Sequence, residues 1–211
     1  MNQGSGASTF VNSVDTAFLI TLVVSIFFLV LITGLMIYFV IKYSRKKNPK
    51  ASNIHSNLGL EITWTVIPTV LVVMMFYFGW TGYLDMAYPP DNAYQIDVTA
   101  QMWKWTFTYK EGFQNDTLYV PAGKPVLLNL HSLDVNHAFF VPAFRIKKDV
   151  YPGSLKRSVW FEAKEGIYDI ACAEYCGLNH SYMYNKVIAL PQDKFDSWLN
   201  NKIASSKAQI K

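Results

Sequence analysis

The chain has 211 residues, of which 51% are hydrophobic and 16% are aromatic. This composition excludes an intrinsically disordered protein, and the length leaves room for one domain with additions or for two small units. The formal net charge of +4 could suit a nucleic-acid partner. The basic excess lies in one short segment, however, and the rest of the chain is nearly neutral, so we predict no binding to nucleic acid.

Two long uncharged segments dominate the N-terminal part. The first has 26 uncharged residues between Asp15 and Lys42, and the second has 23 between Glu61 and Asp85. About 20 apolar residues are enough for a helix to cross a bilayer. The alternatives are a signal peptide and a buried core helix, but the first segment lacks a basic start and is too long for a signal sequence. We therefore predict a hairpin of two transmembrane helices over residues 16–86.

The loop between these helices, residues 42–60, predicts the orientation in the membrane. Its basic residues, which no acidic residue offsets, are Lys42, Arg45, Lys46, Lys47 and Lys50. Short loops rich in lysine and arginine face the cytoplasm or the mitochondrial matrix. We therefore expect an integral protein of the bacterial plasma membrane or the mitochondrial inner membrane. The tail over residues 1–15 and the C-terminal part would then lie on the periplasmic or intermembrane side.

The pattern of apolar residues changes after a proline-rich linker at residues 87–94. Apolar and polar residues then alternate with a period of two, as in half-buried strands. Segments with this pattern are 94–100, 102–109, 124–132, 138–143, 154–163, 166–173 and 183–190. Glycine, proline and asparagine separate them, so we predict a small all-β sandwich or barrel over residues 87–190.

The C-terminal segment over residues 191–211 returns to a helical pattern. Phe195, Trp198 and Leu199 recur at helical spacing, and Pro191 stands near the start, where the fixed φ of proline suits a first turn. We predict a short amphipathic helix followed by a tail.

The sequence CAEYCGLNHSYM, residues 172–183, concentrates side chains that bind soft metal ions. It contains the only two cysteines of the chain, together with His180 and Met183. A disulfide between Cys172 and Cys176 would close a very small loop, would contribute little stability and would leave the other two residues unexplained. A zinc finger separates its cysteines from its histidines by about a dozen residues, and methionine suits copper better than zinc. The segment therefore favours a copper site.

Two cysteines are one more than a mononuclear blue-copper site uses. Two thiolates can bridge two copper ions, and each ion then needs one histidine and one weak donor, such as a methionine or a backbone carbonyl. His180 and Met183 supply one of each, so the second histidine must come from the preceding strands. His131 and His137 are the candidates, and their spacing does not choose between them.

Together these features resemble subunit II of the haem-copper cytochrome c oxidases. The likeness rests on the helical hairpin, on QMWKW at 101–105, on HSLDVNHAF at 131–139 and on the cysteine segment at 172–183. It implies two transmembrane helices followed by an all-β, cupredoxin-like Greek-key barrel that holds a dinuclear copper centre, Cu-A. The copper ligands that it implies are the side chains of His137, Cys172, Cys176, His180 and Met183 and the backbone carbonyl of Glu174.

The resemblance also implies roles for three further side chains. Trp103 matches the tryptophan through which the donor's electron enters, whereas Trp105 is better explained by packing. The Glu174 carboxylate matches a ligand of a magnesium ion at the interface with catalytic subunit I, and such a hard ligand suits magnesium. Glu61 matches a carboxylate at the mouth of a proton channel, although an acidic residue at a helix start also stabilises the helix dipole.

A function in respiratory electron transport follows from the resemblance. The chain would take electrons from cytochrome c or another external redox donor and pass them through copper to haem in subunit I, which reduces oxygen to water and pumps protons. It would work in a complex with subunit I and other oxidase subunits. The sequence has no C-x-x-C-H motif, so we expect haem in the partner subunit only.

Some features depart from the family pattern and leave alternatives open. Ser154 stands where the family often has arginine, and the β region lacks the acidic excess with which many members meet a basic cytochrome c. One alternative is the Cu-A subunit of a nitric-oxide-reducing haem-copper enzyme, which would differ only in its partner. Another is a membrane-anchored copper-handling protein, which would expose its ligands. A quinol oxidase subunit would lack the copper ligands.

Overall fold

The helical part of the chain is the unit Ser13–Tyr83, and the strands belong to a second unit, Met1–Asn12 with Leu84–Lys211. The computed structural model describes residues 6–50, 56–153 and 157–209 of these units. Ser154, which departs from the family pattern, lies outside the described residues, as does the middle of the predicted basic loop, residues 51–55.

Two long apolar helices, α1 (Val11–Lys42) and α2 (Leu58–Ala87), account for the predicted hairpin. They have 32 and 30 residues, and both are long and apolar enough to cross a membrane. No side chain is buried in the most apolar stretch of either helix. Apolar side chains that the protein leaves uncovered are suited to a lipid environment.

The N-terminal segment differs from the predicted polar tail over residues 1–15. Helix α1 already begins at Val11. Just before it, the Phe10 side chain is only 3% exposed and packs edge-on against Trp160 with ring centroids 4.8 Å apart. Backbone bonds also hold the segment, since the N–H of Thr9 donates to the carbonyl of Glu162 at 3.2 Å. The polar composition of the segment does not reveal these contacts, because their partners lie far along the chain.

The second unit contains ten strands within the described residues. They are β1 (Tyr94–Gln101), β2 (Lys104–Tyr109), β3 (Gln114–Asn115), β4 (Leu118–Pro121), β5 (Pro125–Ser132), β6 (His137–Val141), β7 (Ile146–Val150), β8 (Arg157–Glu162), β9 (Gly166–Cys172) and β10 (Tyr184–Leu190). They form two five-stranded sheets, with the order β3-β2-β1-β5-β8 in one and β4-β10-β9-β6-β7 in the other. Strand β1 pairs with β5 and β10 with β4 in parallel, so the chain crosses between the sheets instead of forming a simple meander.

The core lies between the two sheets, as the alternating pattern predicted. In β1 the side chains of Ile96 and Val98 are at most 1% exposed, and in β5 the same holds for Leu128 and Leu130. Each such apolar side chain contributes about 1.5–3 kcal/mol when it is removed from water. The prediction of an all-β sandwich or barrel is confirmed.

Strand β7 was not predicted, because its interior reads as charged. Its sequence is IKKDV, in which only the terminal residues Ile146 and Val150 are buried. Pairing with β6, in register from His137 opposite Val150 to Val141 opposite Ile146, holds the segment extended. Tertiary pairing overrides local propensity here.

Helix α3 (Gln192–Gln209) has 18 residues and is longer than the short helix that was predicted. Its Phe195 side chain is 2% exposed. The Trp198 ring stacks on Tyr119 with centroids 4.4 Å apart and meets Tyr109 edge-on at 5.2 Å. These aromatic contacts fix the helix on the β-sandwich.

Candidate metal centre

The predicted ligands come from two neighbouring strand ends and from the loop between β9 and β10. His137 is the first residue of β6 and Cys172 is the last of β9, and these strands pair with Phe139 opposite Cys172. Strands β9 and β10 are antiparallel neighbours, so the loop between them folds back on itself. The backbone N–H of Cys172 donates to the carbonyl of Met183 at 3.1 Å. This bond closes the loop beside the strands.

The sulfur and nitrogen atoms of the five predicted side-chain ligands converge at this point. The two thiols are not bonded to each other, and Sγ of Cys172 lies 3.8 Å from Sγ of Cys176. Nδ1 of His137 lies 3.8 Å from Sγ of Cys172, and Nδ1 of His180 lies 3.5 Å from Sγ of Cys176. Sδ of Met183 lies 3.9 Å from Sγ of Cys176. The arrangement is a compact cluster of soft and borderline donors.

The donor atoms fall into two sets, one around each thiol. The set around Cys172 contains the His137 imidazole and the backbone carbonyl oxygen of Glu174, which lies 3.3 Å from Sγ. The set around Cys176 contains the other imidazole and the thioether. The ligand atoms of His137, Cys172 and Cys176 all lie within 4.8 Å of one another, so the two sets meet at the thiols. Each set has a thiol, an imidazole and a weak donor, which is a composition that copper favours.

The cluster is buried from solvent except at one residue. His137 is 0% exposed, Met183 is 1% exposed, and Cys172 and Cys176 are 8% and 3% exposed. His180 alone is half-buried. A metal ion held here would be shielded from water except on the side of this histidine.

The alternation of side chains along β5 separates His137 from His131, the two histidines between which spacing did not choose; the family resemblance implied His137. Side chains alternate along β5, so Leu130 and Ser132 face the core and are buried. His131 therefore lies on the outer face of its sheet and is half-buried. Among the described residues, the cluster around the thiols contains His137 and not His131.

Asp134 holds the His137 ring from behind. Its Oδ1 lies 2.8 Å from Nε2 of His137, and its Oδ2 accepts the backbone N–H of Met102 at 2.6 Å. Burial alone would raise the pKa of this carboxyl, but the hydrogen bonds from His137, Met102 and Val135 outweigh burial and lower the pKa to about 2. The ionised carboxylate favours the proton on Nε2, which leaves Nδ1 free to face the thiol as a ligand atom.

The thiol of Cys176 has a high affinity for its proton when no metal is bound. Burial is the main cause of its raised pKa, and the adjacent Cys172 adds to it. A metal ion binds the thiolate, so it must displace this proton. Metal binding at this site is therefore coupled to proton release.

Trp103 lies against the ligand loop. Its indole Nε1–H donates to the backbone carbonyl of Cys176 at 3.2 Å. The ring is half-buried and borders an open cleft of about 550 Å³, which is also lined by Lys104, Asp116 and Lys202. Trp105, in contrast, is 2% exposed and packs in the core, as expected for a structural tryptophan.

The Glu174 side chain is exposed and is paired with a lysine. Nζ of Lys147 lies 3.0 Å from Oε1 of Glu174 and 3.0 Å from Oδ1 of Asp149. The Glu174 and Lys147 side chains are both exposed, and Asp149 together with Glu174 raises the pKa of Lys147. The carboxylate that was predicted to bind magnesium thus has an ammonium partner within this chain.

Glu61 lies in the first turn of α2, where it takes part in a helix cap. Its Oε1 accepts the backbone N–H of Asn57 at 3.2 Å, while the Asn57 side-chain oxygen accepts the N–H of Leu60 at 3.1 Å. These bonds satisfy groups that a helix start leaves without partners. The geometry provides a structural reason for an acidic residue at this position.

Sequence reasoning assigned no role to Asp134, Lys147 or Gly177. A signal for Asp134 was present, because it precedes His137 by three residues in the HSLDVNHAF segment and a carboxylate behind a metal-binding histidine is common. Lys147 pairs with Glu174, and the backbone of Gly177 lies against the Trp103 ring, so both contacts join distant parts of the chain. No local pattern could have revealed them.

Family models for cytochrome c oxidase subunit II match both parts of the chain. The model of the transmembrane domain matches residues 1–80, and the model of the periplasmic domain matches residues 112–190. Together the two matches cover more than half of the chain.

Relatives of known name agree with these matches. The chain is 40% identical over 191 residues to cytochrome c oxidase subunit 2 of Alkalihalophilus pseudofirmus, which covers 83% of this chain and 55% of the relative. It is 28% identical over 243 residues to cytochrome c oxidase subunit 2 of Synechocystis, which covers 92% of this chain and 73% of that relative. The chain therefore spans about half the length of the first relative.

A solved structure contains a similar β-domain. The periplasmic domain of subunit II of cytochrome oxidase of Bradyrhizobium japonicum matches 56% of this chain and 99% of that chain, with a TM-score of 0.53 and 26% sequence identity. The cupredoxin-like fold and, with the two apolar helices, the membrane location follow from these comparisons. The chain belongs to the cytochrome c oxidase subunit II family.

Proposed function

We propose that the chain is the electron-accepting subunit of a haem-copper cytochrome c oxidase. It takes electrons from an external donor at a dinuclear copper centre, Cu-A, and passes them to haem in subunit I, where oxygen is reduced to water and protons are pumped. The observation that carries this proposal is the cluster in which two thiols each meet an imidazole at 3.8 Å or less.

The donor set fits two copper ions. The residues that would hold them are His137, Cys172, Cys176, His180 and Met183, together with the carbonyl of Glu174. Thiol, imidazole and thioether groups favour copper over hard cations. The two sets share two cysteine thiols, whereas a single blue-copper ion uses only one cysteine. When bound, the copper pair would supply reversible one-electron redox chemistry.

The β-sandwich supports this chemistry by holding the ligands still. His137 is fixed between the β6 backbone and the Asp134 carboxylate, and Cys172 is fixed by its backbone bond to Met183. Ligands held on strands move little when the charge of a site changes, which favours fast electron transfer. Burial of the thiols keeps water and competing ligands away.

The electron would enter at Trp103. Its indole lies between the open cleft and the ligand loop, and one hydrogen bond joins it to the backbone of Cys176. The cleft has charges of both signs, from Lys104 and Lys202 and from Asp116. Such a face fits cytochrome c or another redox protein as the donor, without the strong preference for a basic partner that an acidic face would create.

Subunit I would cover the exposed side of the ligand loop. Apolar side chains there are unusually open, with Leu178 85% exposed, Tyr182 80% exposed and Tyr175 79% exposed. Exposed apolar groups of this size mark surfaces that a partner covers. In this arrangement the copper domain faces the periplasm or the intermembrane space, other oxidase subunits complete the complex, and the haem groups stay in the partner.

Glu174 and Glu61 are proposed to serve ions at the boundary with subunit I. The Glu174 carboxylate would bind a magnesium ion there, and the ion would have to displace the ammonium group of Lys147. Glu61 would lie at the mouth of a proton channel in addition to capping its helix.

The buried ligands disfavour the copper-handling alternative, because a protein that exchanges copper needs accessible ligands and His137 is 0% exposed.

The test of the proposed function is to purify the whole oxidase through this chain and to measure oxygen uptake with a reduced c-type cytochrome. We expect uptake that Cys172→Ser abolishes. Turnover of nitric oxide in place of oxygen would instead support the nitric-oxide-reducing enzyme, and turnover of neither would contradict both.

A further inference from the structure

Gly177 leaves the space that the Trp103 ring occupies. A Cβ atom at Gly177 would lie 3.3 Å from Cζ2 of the indole and 3.6 Å from its Nε1. The first distance is shorter than an ordinary contact of a Cβ atom, so the ring would have to give way. The same indole donates to the carbonyl of Cys176, the residue directly before Gly177. The ring therefore rests on the backbone of the ligand loop at the position of the glycine.

Two separate demands act on this glycine. Its φ is +112°, a region that residues with a side chain rarely adopt. The contact with Trp103 is the second demand, and it is independent of the first. Gly112 has a comparable φ of +89°, but nothing lies within 4 Å of a Cβ placed there. The chain thus offers a control in which backbone strain occurs without the contact.

We propose that Gly177 is a positioning residue for electron transfer, because it lets the Trp103 indole stay in hydrogen-bond contact with the loop that carries Cys176. The inference rests on the proposed function, in which the electron passes through Trp103. In that step the donor would lose one electron and the metal centre, when loaded, would gain it, while no covalent bond forms or breaks and the indole keeps its proton. The route crosses one hydrogen bond into the Cys176 backbone and then reaches its sulfur.

A methyl group at position 177 would disturb this route. The ring would move outward to relieve the contact at 3.3 Å, and the 3.2 Å bond from Nε1 to the Cys176 carbonyl would lengthen. The ligand atoms belong to other side chains, and backbone bonds such as that from Cys172 to Met183 hold the loop that carries them. The expected defect is therefore in electron uptake and not in metal binding.

The kinetic test uses the complete oxidase that contains Gly177→Ala. Reduction of the metal centre is followed by stopped flow with a reduced soluble c-type cytochrome and, separately, with ascorbate. We expect the cytochrome reaction to slow several-fold, because the hydrogen bond that joins the indole to the Cys176 carbonyl is lengthened. Copper content and the ascorbate reaction should stay unchanged. Gly112→Ala, the strain control, should leave the cytochrome reaction unchanged as well.

The decisive comparison is a double-mutant cycle with Trp103→Phe. If the glycine acts through the indole, Gly177→Ala causes no further slowing of the cytochrome reaction in that background. An equal slowing in both backgrounds would overturn the proposal, as would an unchanged rate in the single variant. If the wild-type oxidase itself accepts no electron from the cytochrome, the proposed function fails first.

The contact can also be tested without metal or turnover. Unfolding midpoints of the copper-free full chain are compared for Gly177→Ala with Trp103 present and with Trp103→Ala. We expect part of the destabilisation to disappear when the indole is removed. A destabilisation of the same size in both backgrounds would mean that backbone strain alone demands glycine. Loss of copper from Gly177→Ala would overturn the proposal, because the defect would then lie in metal binding and not in electron uptake.

Discussion

The two halves of the candidate metal centre are held in different ways. His137 and Cys172 stand at the ends of paired strands, and the backbone ladder between β6 and β9 sets their positions. Cys176, His180 and Met183 belong to the loop. Single hydrogen bonds and the contact between Trp103 and Gly177 hold this loop in place. The strand half is buried, whereas His180 in the loop half is half-buried. The strands fix the backbone of their ligands, and a nearby carboxylate orients the His137 ring. The loop ligands depend on contacts with side chains far along the chain, such as Trp103.

The largest effect is expected in the strand half, from His137→Ala. The imidazole is 0% exposed, and the rigid strands can bring no other donor into its place. The variant should lose most of its copper, as measured by metal analysis of the purified chain. His131→Ala, which changes the outer face of β5, should keep the wild-type content. Retention by the first variant, or loss by the second, would break the distinction between the two histidines.

His180→Ala should have a smaller effect that can be reversed. Because the ring is half-buried, its removal opens a path from solvent to the thiol of Cys176. We expect free imidazole to restore copper binding and the optical spectrum of this variant, but not those of His137→Ala. Equal rescue of both variants would show that the two halves do not differ in access.

Asp134→Asn tests the support behind the strand half. Removal of such a partner typically weakens metal binding by about 10- to 100-fold, and we expect a competition titration with a copper chelator to show a loss in this range. Copper affinity equal to that of the wild type would exclude a role for Asp134 in holding the ring.

The same variant has a pH signature in the copper-free protein. The pKa of Asp134 is lowered from 3.8 to about 2 by folding, so its stabilising contribution is complete above the unfolded value and is lost as the pH falls towards 2. The difference in unfolding midpoint between wild type and Asp134→Asn should therefore be constant near neutral pH and shrink between pH values of about 4 and 2. A difference that persists at the lowest pH would contradict the assignment.

The smallest effect is expected from Lys147→Ala, which frees the Glu174 carboxylate in the loop half. Exposed ion pairs contribute little, so the affinity for Mn²⁺, a spectroscopic substitute for magnesium, should rise only about two- to fivefold. Titration of the whole oxidase by electron paramagnetic resonance measures this change. Lys148→Ala, one residue along the same strand, is the control and should have no effect. A lower affinity in Lys147→Ala would mean that the lysine helps to bind the metal ion.

Much of the fold could be predicted because its signals are local. The uncharged segments that precede Lys42 and Asp85 define the two helices, and the alternation in β1 and β5 defines the sandwich. Strand β7 was not predicted, because its interior is charged and only pairing with β6 makes it extended. The packing of Phe10 was not predicted, because its partner, Trp160, is far along the chain.

The candidate site was predictable only where its residues are close in sequence. The spacing of the cysteine segment identified the loop half, since those ligands are close in sequence. The strand half was harder, because the choice between His131 and His137 depends on which face of which strand each one occupies. Supports such as Asp134 and Gly177 act across strands and loops, and they become visible only when distances between side chains are known.

The most direct test of a dinuclear copper centre is the copper content and the electron paramagnetic resonance spectrum of the purified full-length chain. We expect two copper ions per chain and, in the oxidised state, one unpaired electron shared equally between them, because the thiols of Cys172 and Cys176 each meet a separate imidazole. A single copper ion with a localised signal, or zinc in its place, would contradict the dinuclear centre and with it the respiratory role.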